Sequence, residues 1–315
     1  DRAGYRIHSD ILVPNNFPGV GGYKHCIFVD EFSGYVWTEF LRSKSEFSTP
    51  FSKKVIEIKQ HCGQLSSMEE GLGIAQLRTD NAKEHLSAAV AEICKANGII
   101  HETTVAYSPH QNGLAERMIG IIWNGAEAIR TSACLPPKYW PFAVAAFVHV
   151  KNRMPNNSRN ANVRFTPFEA WHDIDVEFGT LTSHLRRLGC KCYVYVPKQQ
   201  RKKFDLKAVE GIFLGYSKYK KGFIAQLLET GEIVDFEFGY FDETKLPLDI
   251  GIKSSWYKKQ FEEKRSSDRS GDLVKDTSSN AYEFSADVEQ NLVFSEKTIL
   301  FHPYSNMTMI VMLWG

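Results

Sequence analysis

The order of the apolar runs constrains this chain most, because it dictates where strands give way to helices and where strands return. Residues 5–12, 24–30 and 35–41 read as three strands. Tyr23 to Asp30 and Tyr35 to Leu41 are rich in the aromatic and β-branched residues that suit a pleated surface. Ser33-Gly34 is turn chemistry, so the second and third strands form a hairpin. Between Ser45 and Gln64 the apolar Phe47, Phe51, Val55 and Ile58 recur at three to four residues, the period of an amphipathic helix. Pro50 is tolerated only in its first turn. Residues 74–79 form a fourth strand, Leu86 to Ala96 a helix ended by Asn97-Gly98, and Ile99-Ile100-His101 a short fifth strand. Residues 104–112, polar and holding Pro109, read as a loop. Gly113 to Thr131 is a helix that Asn112 can cap, and Pro137 to Val150 is a second, strongly apolar one. Thr166-Pro167-Phe168-Glu169 is a capping box with proline at the first helical position.

After Leu188 the pattern changes to short strands at 190–196, 209–216, 222–228 and 232–238, with a tight turn at Glu229-Thr230-Gly231-Glu232. Regular short strands predict a small barrel. Periodicity alone therefore predicts a mixed α/β region followed by an all-β one. Beyond residue 247 the chain is charged and Ser-rich, as in Lys264-Arg265-Ser266-Ser267-Asp268, which predicts a disordered linker. Thr298 to Gly315 matches no pattern.

A length of 315 residues leaves room for two domains, and a net charge of +1 means that any nucleic-acid-binding face is local. The six cysteines are scattered. Cys190-Lys191-Cys192 has the wrong spacing for a zinc knuckle, so reduced, buried thiols of an intracellular protein are expected. No signal peptide is visible at Asp1-Arg2-Ala3-Gly4, and the apolar run Met309 to Trp314 is too short to cross a bilayer.

Three acidic residues stand in contexts that invite chemistry. Asp10 interrupts the apolar strand Ile7-His8-Ser9-Asp10-Ile11, Asp80 ends the run Leu77-Arg78-Thr79-Asp80-Asn81, and Glu116 falls in the first turn of a helix. Carboxylates brought together from distant segments can hold hard divalent cations. Each has a plainer reading: Asp10 an exposed strand residue, Asp80 the N-cap of the next helix, Glu116 a solvated helix charge. The stretch from Arg186 to Lys207, reinforced by Lys218, Lys220 and Lys221, is basic enough to bind phosphates, or to be a solvated edge that discourages aggregation.

These motifs, with Phe28-Val29-Asp30-Glu31-Phe32-Ser33-Gly34, Tyr107-Ser108-Pro109-His110-Gln111-Asn112-Gly113, Asn152-Arg153-Met154-Pro155 and Gly211-Ile212-Phe213-Leu214-Gly215-Tyr216, resemble the retroviral integrase and transposase superfamily. The match is with the integrases of copia-type retrotransposons in particular, over about residues 5 to 245. The resemblance implies an RNase H-like catalytic core over 1–175 with a mixed five-stranded sheet, and an SH3-like barrel over 183–246, leaving 247–315 as linker and tail. It implies that Asp10, Asp80 and Glu116 are catalytic and bind two Mg²⁺ or Mn²⁺ ions. Asn81, Glu84, His110, Gln111, Asn112 and Arg117 would support them or touch DNA, and Arg187, Lys198, Arg201, Lys202 and Lys203 would contact phosphates. The implied reactions are metal-dependent trimming of element ends and their joining to target DNA. The implied setting is a homo-oligomer in the nucleus or a cytoplasmic particle, away from membranes. Asp30 and Glu31 are expected to be structural. Family members have Gly-Gly where this chain has Ala82-Lys83, and carry an upstream His/His/Cys/Cys zinc domain that this sequence lacks, which favours a polyprotein fragment or decayed copy. The rival functions are an inactive or host-adopted remnant that binds nucleic acid, and an RNase H-type nuclease.

Overall fold

The computed structural model describes residues 2–13, 24–65, 73–103, 113–155, 166–218 and 220–247. They belong to one compact unit, Asp1–Lys264. The expectations for His110, Gln111, Asn112 and residues 248–315 fall outside the described residues.

The first sheet is built from β1 (Arg6–Leu12), β2 (Lys24–Asp30), β3 (Val36–Leu41), β4 (Gln76–Thr79) and β5 (Ile100–Thr103), in the order β3-β2-β1-β4-β5. β1, β2 and β3 run antiparallel, while β4 and β5 lie parallel to β1. That order and polarity make the RNase H-like arrangement. β2 is buried along nearly its whole length because both faces are covered. Cys26 and Phe28 face one core with Phe47, Phe51, Val55 and Ile58, which belong to α1 (Ser48–Leu65) and the 3₁₀ turn before it, and with Val90 and Cys94 of α2 (Ala88–Ala96). Ile27 and Val29 face a second core with Ile119 and Ile122 of α3 (Gly113–Ser132) and Ala143 and Val144 of α4 (Trp140–Lys151). The two helical layers are what side-chain alternation along a strand requires when a sheet is covered twice.

The Asn152-Arg153 motif holds β3 in place. The Asn152 side chain accepts from the Val36 amide at 3.0 Å and donates to the Val36 carbonyl at 2.7 Å, while Lys151 Nζ donates to the Gly34 carbonyl at 2.8 Å. Asp30 accepts from the Gly4 and Ser33 amides, each at 2.8 Å, and from the Ser33 hydroxyl at 2.6 Å. It is a buried turn clamp. The capping box at Thr166 opens α5 (Pro167–His172) as its sequence predicts; α6 (Phe178–Thr182) follows.

The second sheet holds β6 (Lys191–Tyr195), β7 (Ala208–Tyr216), β8 (Phe223–Leu227), β9 (Ile233–Phe236) and β10 (Gly239–Asp242), all antiparallel, in the order β10-β6-β7-β8-β9. Here the structure corrects the expectation of a barrel. Among the described residues β9 and β10 are the two edges and do not pair, so the sheet is open. Both of its faces are engaged. Ile212 and Leu214 join the core of α3 and α4, so part of one face is taken up by the neighbouring helices. The other face has its own small core of Cys190, Cys192, Val194, Phe213, Ala225 and Phe236. α4 thus lies between two sheets, which explains why it is apolar on nearly every side.

Candidate active site

Asp10 sits on β1, opposite Ile27 of β2, with its side chain half-buried. The parallel register pairs His8 with Arg78, so Asp10 and Asp80 fall level with one another where β4 ends. Glu116, exposed, stands in the first turn of α3. Asp10 feels both of the other charges. Asp10 has its pKa pushed up to about 6, chiefly by burial, with further repulsion from Asp80 and Glu116. The Ile11 amide, donating to Asp10 Oδ1 at 2.7 Å, and His85 oppose the rise.

Asp80 is not a helix cap. The N-cap of α2 is Ser87, and the Asp80 carboxylate instead closes a turn. Its Oδ1 accepts from the Ala82 amide at 3.1 Å and meets His85 Nδ1 at 2.5 Å. Burial works to raise the Asp80 pKa, but the His85 hydrogen bond and charge, the Ala82 amide and Lys44 together hold it below the usual carboxylate range. His85 is 1% exposed, packs edge-on against Phe47 with ring centroids 4.5 Å apart, and its Nε2 is buried without a partner among the described residues. Sequence reasoning missed this residue. The only signal was its place five residues after Asp80, which matches no period. The Ala82-Lys83 pair leaves the turn intact. The His85 and Leu86 amides donate to the Ala82 carbonyl at 3.0 and 3.2 Å, and neither Ala82 nor Lys83 adopts positive φ. No glycine is needed here.

Glu84 pairs with Lys44 Nζ at 2.7 Å, which outweighs its burial and lowers its pKa. It is thereby turned to Lys44. Asn81 and Arg117 are exposed beside Asp80 and Glu116. Among the described residues no three His, Cys, Asp or Glu side chains are close enough to enclose a metal ion together. The donor chemistry nevertheless suits one. Hard carboxylate oxygens select Mg²⁺ or Mn²⁺, and a half-buried Asp10 repelled by two carboxylates is a charge deficit that a cation relieves.

Of the predicted phosphate ligands, Arg187, Lys198, Lys202 and Lys203 are exposed, and Arg201 lies over the Tyr195 ring at 5.9 Å. They flank the second sheet. Lys218 is committed to an ion pair with Glu39 of β3.

Residues 190–253 match the retroviral polymerase SH3-like domain family. Over 218 residues, 69% of its length, the chain is 32% identical to the retrovirus-related Pol polyprotein from transposon TNT 1-94 of Nicotiana tabacum. The chain is related to retrotransposon Pol polyproteins. It is also 29% identical over 228 residues to the Pol polyprotein from transposon RE1 of Arabidopsis thaliana. The chain spans 15% and 14% of the length of these two Pol polyproteins. Among solved structures, the HTLV-2 integrase catalytic core domain in complex with magnesium is 21% identical, covering 54% of this chain and 98% of that one, with a TM-score of 0.39. A simian T-cell lymphotropic virus intasome chain is 16% identical, covering 76% and 79%, with a TM-score of 0.42.

Proposed function

We propose that this Pol-related chain is the integrase of a copia-type element, catalysing metal-dependent end processing and strand transfer of DNA. What supports the proposal is the placement of Asp10 on β1, level with Asp80 at the end of β4, and the repulsion of Asp10 by both Asp80 and Glu116. Strand β1 gives Asp10 a rigid base, the His85 contact fixes one oxygen of Asp80, and helix α3 carries Glu116 in its first turn. Bound Mg²⁺ or Mn²⁺, two ions in the full reading, would activate water or a DNA 3′-hydroxyl and stabilise the departing oxygen. Asp10, Asp80 and Glu116 would hold them. Asn81 and Arg117, both exposed, would touch the DNA backbone, and the partners would be element ends, target DNA and further copies of the chain in the nucleus or a cytoplasmic particle.

The test is strand transfer of end-mimicking DNA in Mg²⁺ or Mn²⁺. Asp80→Asn should abolish it and leave nonspecific DNA binding nearly unchanged, since phosphate contacts come from Lys and Arg elsewhere. A parent chain that binds DNA but transfers no strand with either metal would instead identify a non-catalytic remnant. That second reading is favoured by the absence, among the described residues, of a three-ligand cluster.

A further inference from the structure

The second sheet has a face larger than the helices that cover it. Ile212 of β7 is buried against the α3 and α4 core, and its cross-strand partner on β6 is Lys191. Along the same face of β6 come Tyr193 and Tyr195, which the register places beside Tyr240 of β10 and Phe238 just before it. Tyr195, Phe238 and Tyr240 are 43%, 65% and 68% exposed. Tyr193 and Tyr240 lie 6.2 Å apart between ring centroids. Four aromatic rings in two adjacent rows thus form an open shelf where the helical cover ends.

The shelf is bordered by cations. The connection from β6 to β7 carries Lys198, Arg201, Lys202, Lys203 and Lys207, opposed there only by Asp205. Asp205 is held within the turn, where its carboxylate accepts from the Lys202 amide at 2.6 Å and its amide donates to the Lys202 carbonyl at 3.2 Å; it keeps its charge, and five cations against one anion leave the connection net positive. That turn holds Phe204 at φ 82, a conformation a bulky side chain rarely adopts, with the ring 95% exposed beside Lys203. The Arg201 guanidinium carbon lies over Tyr195, 5.9 Å from the ring centroid. Of the acidic groups near the shelf, Glu210 pairs with Lys191 at 2.7 Å and Asp242 binds Thr244 and Lys245, leaving Glu237 to oppose the cations.

We infer that this shelf binds single-stranded nucleic acid, with bases stacking on Tyr193, Tyr195, Phe238 and Tyr240 and phosphates running along the basic connection. Rings beside a cationic track are the pattern that such strands recognise, because every base has a π-face and every linkage a charge. A duplex offers the charges but hides the π-faces. A second copy of the same surface would bring five cations against five, and an apolar peptide would leave them unanswered. The inference does not depend on the carboxylate site.

Binding of the purified full chain to labelled oligothymidylate, to an abasic strand of equal length and to a duplex tests it by fluorescence anisotropy. The parent should bind oligothymidylate at least about tenfold more tightly than the abasic strand, the range expected from losing one or two stacked bases. Tyr195→Ala/Tyr240→Ala, which takes away two of the four rings, should sharply reduce that preference and leave abasic binding unchanged. Tyr240 is largely exposed and Tyr195 nearly half so, and neither belongs to the small core of the sheet, so the fold should persist. Tyr195→Leu/Tyr240→Leu, which keeps apolar bulk without a π-face, should behave alike and serves if the alanine pair unfolds. Equal binding of thymidylate and abasic strands, preference for the duplex, or a concentration-dependent dimer abolished by these substitutions would overturn the inference.

Discussion

Asp10→Asn should make the metal-free protein more stable at neutral pH, and the structure supplies the size of the effect. The Asp10 pKa is pushed up to about 6 from an ordinary 3.8, because burial and the neighbouring Asp80 and Glu116 disfavour the anion. A carboxyl whose folded pKa is raised costs stability wherever it must ionise. Below the unfolded value the cost is absent, it grows between about pH 4 and 6, and above the folded value it is complete. A gap of about two pK units corresponds to about 3 kcal/mol at pH 7. Asparagine keeps an oxygen for the Ile11 amide, which donates at 2.7 Å, and carries no charge to desolvate. For a unit of this size about 3 kcal/mol raises Tm by roughly 6–12 °C. Thermal unfolding in EDTA, followed for parent and variant from pH 4.5 to 8, isolates the group because other titrations cancel in the difference. That difference should be about a third of its full value at pH 4.5 and reach nearly all of it by pH 7. Added Mn²⁺ should raise the Tm of the parent and not of the variant. A difference that does not change with pH, or a variant less stable than the parent at pH 7, would refute the argument that Asp10 is held as a strained anion.

His85→Phe keeps the buried ring but removes the donor to Asp80. Mn²⁺ affinity, read by electron paramagnetic resonance, should fall roughly ten- to a hundredfold, and His85→Asn, which restores a donor, should recover part of it. Unchanged affinity in the Phe variant would show that His85 only fills space. Replacing Arg201, Lys202 and Lys203 together with Gln should weaken binding to all DNA sequences alike and flatten the salt dependence, since phosphate contacts release counterions. An unaltered slope would make those residues a solvated edge. Gly125 of α3 has no room for a methyl group, because an added Cβ would overlap the Phe147 ring of α4. Gly125→Ala should therefore cost about 1–3 kcal/mol, the price of overpacking, partly offset by about 1 kcal/mol of helix propensity. A calorimetric Tm at or above that of the parent would show that the ring moves aside freely.

Local spacing was enough to set out most of the elements. The strand runs, the Pro50 position inside the first turn of α1 and the Thr166 capping box depend on contacts within a few residues, and those are written in the neighbouring sequence. Two elements escaped. α6 is a single short turn without a period, and β10 is four residues that become a strand only because β6 offers them an edge. The same dependence on partners decided which core each face of the second sheet joins, with Ile212 and Leu214 given over to that of α3 and α4. The acidic residues could be singled out from their contexts, but not their relation. The level placement of Asp10 and Asp80 comes from the parallel register of β1 and β4, a pairing across some seventy residues. His85 is the clearest case. A histidine five residues past an aspartate follows no helix or strand repeat, and only a turn closed by Ala82 folds its ring back onto the carboxylate. Residue type and local spacing determine which groups the chain has to work with. Which of them share an electrostatic field is decided by long-range pairing, because charge interactions depend on distance in space and not along the chain.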